Sequence, residues 1–277
     1  MTFDLLTIFG LLASVLIGVS LGLIGGGGSI LTVPVLVYLL KVDPILATAY
    51  SLFIVGLSSL VGAIPKYKSG LIDFKTAVVF GIPSIIAVFL TRKVLVPAIP
   101  SNLFEFEGIF VTKALAMMLL FALLMVAASV SMIRTPKEIA NTNTQTRVFN
   151  YPVILLEGSV VGILTGLVGA GGGFLIIPAL VLLSKLPMKQ AVGTSLLIIG
   201  AKSIIGFTGD VMERFDQINW TLLSLVTALA IIGIFVGNQL SKKIDGAALK
   251  KGFGWFVLAM GLYIIIKELF FPGAEIY

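Results

Sequence analysis

Two glycine clusters are the residues of this chain best suited to bind an anion. They occupy positions 25–28 and 169–173, and each interrupts an apolar segment. Glycine destabilises a helix interior, so each cluster predicts a break after which a new helix begins. The first turn of a helix presents free N–H groups and the positive end of the helix dipole to a negative guest. The predicted anion-binding amides are those of Gly27, Gly28, Ser29, Gly171, Gly172 and Gly173.

A competing interpretation of the clusters is close helix packing, because small residues allow apolar helices to approach each other. A single glycine would favour that interpretation. Two clusters at matching positions of two chain halves favour a binding site, since paired breaks of this kind mark the sites of transporters. A nucleotide-binding loop is rejected, because neither cluster is followed by the Gly-Lys-Ser/Thr sequence of a phosphate loop.

Hydroxyl side chains follow each cluster at the start of the next apolar segment. Ser51 lies in the segment 47–52, and Thr194 and Ser195 lie in the equivalent segment 191–196. Their O–H groups could donate hydrogen bonds to an oxyanion. Serine and threonine in membrane helices also commonly bond their own helix backbone. The sequence leaves both interpretations open.

Lys202 is the most unusual charge of the chain, because it stands inside the apolar run 196–205. Charges at membrane depth are costly and point to function, so Lys202 is predicted to attract an anionic substrate. The alternative is that its long side chain snorkels to the membrane surface. The equivalent residue of the first half, Ser58, is neutral, so such a role would be asymmetric. Glu157 could carry a coupling proton, but we expect it at the interface near Tyr151.

The elements that hold these residues must lie in a bilayer. The 277 residues are 58% hydrophobic and 12% charged, with a mean hydropathy of +1.13, whereas soluble domains have about 25% charged residues. The stretch 5–40 would be ~54 Å long as one helix, which exceeds the ~30 Å hydrocarbon core. A break at the first cluster leaves a span of about 20 residues and a half-helix of about 12. The chain has no histidine and no cysteine, so no metal or cofactor is expected.

The second half of the chain repeats the first. A shift of 144 residues aligns Gly18 with Gly162 and Gly62 with Gly206 without a gap. The same shift aligns glycine, proline and serine residues of the two halves with each other. A similar apolar composition alone would not produce these matches. The predicted fold is an all-α integral membrane protein with two inverted-topology repeats, each a glycine-broken, re-entrant-like helix hairpin plus three transmembrane helices. The predicted domains are an N-terminal repeat 1–133, a cytoplasmic polar linker 134–150 and a C-terminal repeat 151–277. The predicted spans outside the two broken segments are 44–65, 74–96, 109–133, 188–208, 219–240 and 252–271.

Basic residues set the predicted orientation, because Lys and Arg concentrate on the cytoplasmic side of membrane proteins. If each glycine cluster is the tip of a hairpin, most lysines and arginines of the loops fall on the side of the linker. If the chain instead continued in the same direction after each cluster, the lysines of 242–251 would lie on the opposite side of the membrane from Lys66 and Arg134. We therefore place the linker in the cytoplasm and both termini outside the cell membrane. Arg92 and Asp210 are then expected among the charges of the outer face.

Three sequence motifs carry a family resemblance. They are Gly-Leu-Ile-Gly-Gly-Gly-Gly-Ser at 22–29 with Pro34, Gly-Leu-Val-Gly-Ala-Gly-Gly-Gly at 166–173 with Pro178, and Ala-Val-Gly-Thr-Ser-Leu at 191–196. This pattern resembles the TauE/SafE family of sulfite exporters, over nearly the whole chain. The resemblance implies movement of sulfite, sulfoacetate or related sulfur-containing anions across the cytoplasmic membrane, usually outward. The first half departs from the pattern at Tyr50, where the second half has Thr194.

The residues and the resemblance together predict a secondary transporter that exports sulfite, sulfoacetate or a related organosulfonate by alternating access. The anion would lie between the half-helix N-termini near the bilayer midplane. Ser51, Thr194 and Ser195 would donate hydroxyl hydrogen bonds, and Lys202 would supply positive potential. The expected partners are this small anion and the lipid bilayer, without nucleic acid, and a homo-oligomer is left open.

Two alternatives remain for the function. One is a transporter or channel for a different small anion. The other is an integral membrane enzyme, which is disfavoured because the chain lacks His, Cys and paired intramembrane carboxylates for acid–base or metal chemistry.

Overall fold

The computed structural model describes residues 5–106, 109–134, 151–169, 171–182, 186–241 and 246–270. Within these ranges the chain is predominantly helical, and seven helices are long and apolar enough to cross a membrane. The prediction of a helical membrane protein is confirmed, whereas residues 135–150 of the linker and both ends of the chain lie outside the described residues. The helices are α1 Leu5–Ile24, α2 Thr32–Pro34, α3 Pro44–Lys68, α4 Phe74–Leu90, α5 Val96–Ala98, α6 Lys113–Arg134, α7 Tyr151–Val168, α8 Gly173–Leu182, α9 Met188–Arg214, α10 Trp220–Leu240 and α11 Gly246–Phe270.

The first glycine cluster ends α1 and starts a shorter helix. Gly25 follows α1 with a φ of 86°, a left-handed conformation that glycine adopts without a steric penalty. The chain then continues through a 3₁₀ turn Gly27–Leu31, the short α2 and a π-helical turn Val35–Leu39. We call residues 27–39 the first half-helix. The expected division into a 20-residue span and a short half-helix is confirmed.

The first half-helix runs back along α1. A Cβ atom built on Gly28, at the start of the half-helix, would overlap the backbone of Leu21 near the end of α1. A Cβ atom built on Gly10, near the start of α1, would overlap Leu40 just after the half-helix. The two segments therefore form a hairpin with the glycine cluster at its tip.

The second glycine cluster has the same place between α7 and α8. Gly169, Gly171 and Gly172 all have left-handed φ angles, of 73°, 64° and 64°. An L-residue pays roughly 1–2 kcal/mol for that conformation, which explains why the turn is built from glycine. We call α8, which begins at Gly173, the second half-helix.

Helices α3 and α9 lie side by side at the centre of the molecule. Gly62 of α3 lies against Leu196 of α9, and Gly206 of α9 lies against Leu52 of α3. Residue numbers rise along one helix as they fall along the other, so α3 and α9 run antiparallel. The midpoint of the contact between them lies close to Lys202 on α9.

Glycines also bring the outer helices together in pairs, because the absence of a side chain allows backbones to approach. A Cβ on Gly18 of α1 would overlap the carbonyl of Ala230 on α10, and one on Gly22 would meet Ile234. Residue numbers rise together along this pair, so α1 and α10 run parallel. The equivalent contacts of α7 join Gly158 to Phe80 and Gly162 to Ser84 of α4, and Gly166 to Thr91 just after α4.

One expected span begins later than the hydropathy pattern indicated. The apolar stretch 109–133 was predicted to be helical throughout, but its first residues form strand β2, Ile109–Thr112, antiparallel to β1, Asn102–Phe106. The segment Ile-Phe-Val-Thr is β-branched and aromatic, which favours a strand. α6 begins at Lys113, whose backbone N–H donates to the carbonyl of Ser101. The all-α expectation therefore holds except for this short hairpin.

Candidate anion site

The tips of the two hairpins touch each other through backbone. A Cβ built on Gly26 would overlap the Cα of Gly173, and a Cβ built on Gly173 would overlap the Cα of Gly26. The two clusters, 144 residues apart in the repeat alignment, thus meet at one place in the fold. Contact this close is open only to residues without a side chain.

Helices α3 and α9 present equivalent faces to this meeting point. Val55 of α3 lies against Gly171, and Ile199 of α9 lies against Gly173. Residues three or four positions away share a helix face. The buried side chains one turn on either side of Val55 and Ile199 include Ser51, Ser58, Ser195 and Lys202.

Lys202 reaches the second glycine cluster. Its side chain is 0% exposed, so the snorkelling alternative is wrong. Its Nζ donates to Thr165 Oγ1 at 2.9 Å, and a Cβ built on Gly172 would lie 2.8 Å from the same nitrogen. Thr165 Oγ1 in turn donates to the carbonyl of Val161 at 2.6 Å. An ammonium group has three N–H donors, and Thr165 accepts one of them.

The predicted hydroxyl donors differ in what they bond. Ser29 donates to the carbonyl of Gly26 at 2.8 Å, and Ser195 donates to the carbonyl of Val192 at 2.9 Å. These two hydroxyl groups satisfy local backbone. Ser51 Oγ is buried and has no hydrogen-bond partner among the described residues. Of these three serines, Ser51 therefore has the hydroxyl that is free to donate to a ligand.

The remaining predicted residues take places around the two turns. Gly27 begins the 3₁₀ turn of the first half-helix, and Gly28 faces α1. Thr194 is buried and points toward the loop before α4, where its Oγ1 accepts the backbone N–H of Asp73 at 2.9 Å. On α7, Glu157 is partly buried, and its Oε2 has no hydrogen-bond partner among the described residues.

Tyr50 makes the bond in the first half that Thr194 makes in the second. The two residues are equivalent in the repeat alignment. Tyr50 Oη accepts the backbone N–H of Asn219, just as Thr194 accepts that of Asp73. Asp73 and Asn219 are the N-cap residues of α4 and α10. Tyr50 departs from the motif in residue type, but its hydroxyl oxygen accepts the same kind of hydrogen bond as that of Thr194.

A buried ion pair adds two charges that the sequence interpretation had misplaced. Arg92 and Asp210 were expected at the outer face, but Arg92 is 1% exposed and Asp210 is buried as well. Arg92 Nη1 lies 3.3 Å from Asp210 Oδ1 and donates to Thr48 Oγ1 at 2.9 Å. A Cβ built on Gly169 would overlap Arg92 Nη2, so the guanidinium lies beside the second cluster.

Arg92 lies near the end of the predicted span 74–96, and the orientation argument counted it with Lys93 among the charges of the outer face. In the structure the helix continues through a π-helical turn, Thr91–Leu95, and α5. Arg92 is buried within that turn, whereas its neighbour Lys93 is exposed. Opposite charges within two separate apolar spans are the signal that could have revealed the pair.

The second cluster is therefore the electropositive side of the meeting point. Lys202 and Arg92 lie against opposite ends of it, at Gly172 and Gly169. At the first cluster, by contrast, Gly25 faces the apolar Val192. Interrupted helices that meet within a bundle of membrane spans are typical of one class of protein, the membrane transporters.

Comparison with known proteins places the chain within that class. The sequence profile of the family described as "Sulfite exporter TauE/SafE" matches residues 10–264, so the chain belongs to the TauE/SafE family. It is similar to a "Probable membrane transporter protein" of Xylella fastidiosa strain Temecula1, with 30% identity over 91% of this chain and 92% of the relative. It is also similar to "Probable membrane transporter protein YunE" of Bacillus subtilis strain 168, with 30% identity over 98% of this chain and 100% of the relative. No solved structure gives a significant match.

Proposed function

We propose that this membrane transporter exports a small sulfur-containing anion, such as sulfite, sulfoacetate or a related organosulfonate, by alternating access. The observation that carries the proposal is the position of Lys202, fully buried with its Nζ beside Gly172. A lysine at membrane depth is costly unless a negative partner compensates it. In this family, whose description names sulfite, an anionic substrate is the natural partner.

The proposed site can bind an oxyanion without a second full charge. The ammonium of Lys202 supplies the positive charge, and the amides of Gly171, Gly172 and Gly173 open the second half-helix, where N–H groups and the helix dipole favour anions. The free hydroxyl of Ser51 lies one turn from Val55, which contacts Gly171. Sulfite and sulfonate groups carry three oxygens, which these donors can share.

Alternating access is proposed to rest on two inverted repeats. The equivalent helices α3 and α9 run antiparallel. This supports the proposed inversion, because equivalent membrane-crossing helices of inverted repeats run in opposite directions. The parallel pairs α1 with α10 and α4 with α7 support it as well, since each pair joins the first helix of one repeat to the fourth element of the other. Rocking of one repeat against the other would expose the shared site to each side in turn.

Export of a single negative charge needs no further energy source in a cell with a negative interior. Moving one charge across the membrane is worth roughly 2.3 kcal/mol per 100 mV. The gain applies to each negative charge that leaves, so we propose uniport of the anion through the cytoplasmic membrane, with the linker inside the cell and both termini outside.

Flux measurements in proteoliposomes test the proposal. The purified protein is expected to release internal sulfite or sulfoacetate faster than protein-free vesicles, with taurine and thiosulfate as competing substrates. Lys202→Met removes the charge and is expected to lower anion affinity by about tenfold or more, which corresponds to ~1.4 kcal/mol. Lys93→Gln, which removes an exposed charge elsewhere, is the matched control. Absence of flux for every sulfur anion, or unchanged affinity in Lys202→Met, would contradict the proposal.

A further inference from the structure

We infer that Arg92 forms a second oxyanion-binding subsite with Thr48 and Gly169, and that Asp210 competes with the substrate for its guanidinium. The inference rests on the proposed function, because it adds a binding group to the same anion pathway. It begins from a buried arginine whose hydrogen-bonding capacity is only partly used.

The guanidinium of Arg92 has unused donors. Nη1 donates to Thr48 Oγ1 and contacts Asp210 Oδ1. Within the described part of the chain, Nε and Nη2 have no hydrogen-bond partner, although both are buried. Buried N–H groups of a charged side chain are normally satisfied. The planar fork of an arginine matches two oxygens of a carboxylate, phosphate or similar oxyanion.

Gly169 and Thr48 fix where the unused donors point. A Cβ at position 169 would overlap Nη2, so the glycine allows the guanidinium to lie directly against the backbone of the second cluster. Thr48 Oγ1 donates to the carbonyl of Ile45 at 2.7 Å while it accepts from Arg92 Nη1. The threonine oxygen therefore holds Nη1 in place and acts as a positioning group for the guanidinium.

Asp210 holds Arg92 by a single, long contact. The distance of 3.3 Å between Nη1 and Oδ1 exceeds the roughly 2.7–2.9 Å of a strong charge-assisted hydrogen bond. Asp210 Oδ2 has no partner among the described residues. A carboxylate bound through one atom can be displaced by an incoming oxyanion and can return when that anion leaves. Transport requires this balance, since a site must bind its substrate and also release it.

The Arg92 subsite is separate from the Lys202 site. Lys202 and Asp210 both belong to α9 and are eight positions apart, which places them ~12 Å apart along the helix axis. The two cations lie against Gly169 and Gly172, at different positions of one glycine turn.

Equilibrium binding and flux of sulfite, measured under argon, test this inference. Asp210→Asn removes the competitor, so sulfite is expected to bind at least about threefold more tightly while its efflux slows. Thr48→Val removes the oxygen that positions Arg92 and is expected to weaken sulfite binding about fivefold. Thr48→Ser keeps that oxygen and should restore binding, and Lys93→Gln is the control for loss of an exposed charge.

The outcomes separate this inference from the proposed function. If Asp210→Asn weakens sulfite binding, or if Thr48→Val binds sulfite as the wild type does, the ion pair is only structural and the inference is overturned. If Asp210→Asn does not fold, the comparison of Thr48→Val with Thr48→Ser decides alone. A wild-type protein that neither binds nor moves sulfite, sulfoacetate, taurine or thiosulfate would overturn the proposed function itself, and the inference with it.

Discussion

The hydroxyl oxygen of Thr194 lies 2.9 Å from the amide nitrogen of Asp73, and this hydrogen bond joins the two halves of the chain. Tyr50 and Asn219 form the reciprocal bond. In each case a helix of one half accepts the backbone N–H of the residue that caps a helix of the other half. The two bonds therefore tie the start of α4 and the start of α10 to the opposite half of the chain.

Removing either bond is expected to destabilise the helix start that it holds. Tyr50→Phe deletes only the oxygen that accepts the N–H of Asn219. The bond is part-buried and its donor belongs to the exposed Asn219, so its loss is worth about 0.5–1.5 kcal/mol. We therefore expect a lower Tm and faster hydrogen exchange in the first turn of α10.

The second half offers the matched test of the same bond. Thr194→Val should have the same effect at the start of α4, whereas Thr194→Ser should keep the stability of the wild type. Unchanged Tm and exchange in both Tyr50→Phe and Thr194→Val would show that these bonds contribute nothing.

Gly172→Ala is expected to abolish flux while the protein still folds and inserts. The added Cβ would overlap Thr165 Oγ1 and displace the ammonium of Lys202, in addition to the roughly 1–2 kcal/mol penalty of a left-handed φ. Gly70→Ala is the matched control, because Gly70 has a φ of 66° with nothing within 4 Å of the added Cβ. Proteoliposome flux that falls equally in both variants would assign the effect to backbone strain and contradict the role of position 172.

Ser51→Ala and Ser195→Ala are expected to differ although the residues occupy equivalent positions. The hydroxyl of Ser51 has no partner among the described residues, whereas that of Ser195 is bonded to Val192. A hydrogen bond to a charged group is worth about 1.5–3 kcal/mol, so Ser51→Ala should weaken substrate binding about tenfold or more. Ser195→Ala should change it little. Equal effects in a binding titration would mean that the hydroxyl of Ser51 does not contact the anion.

The orientation can be mapped directly because the chain contains no cysteine. Ser69, in the loop before α4, and Ser101, before the strand hairpin, are both exposed. The proposed topology predicts that a membrane-impermeant thiol reagent added to whole cells labels Ser101→Cys and not Ser69→Cys. Inside-out vesicles should give the reverse. Labelling of both positions from one side would refute the proposed topology.

Much of the fold could be predicted from the sequence because its signals are local. A glycine cluster breaks a helix wherever it occurs, so the hairpin tips and the lengths of the flanking helices followed from positions 25–28 and the stretch 5–40. The strand Ile109–Thr112 was missed because a short apolar run has no periodicity that separates a strand from the start of a span.

The candidate site was only partly predictable. Hydropathy indicates which residues lie within the bilayer, but it does not indicate which residues they contact in the folded protein. The apolar run around Lys202 showed that the residue is costly, but only the packing of α9 against the hairpin tips places its Nζ beside Gly172. Arg92 was missed for the same reason, since nothing local in its sequence indicates that Thr48 and Asp210 lie beside it.

The lysine at the crossing of α3 and α9, Lys202, has a consequence for how a site of this kind can be assembled. Two identical subunits paired through this helix would each contribute the same residue at the centre of the crossing, so a lysine there would face a second lysine. A single chain allows serine at position 58 and lysine at position 202. A symmetric dimer of identical half-length chains could not hold one lysine opposite one serine in this way.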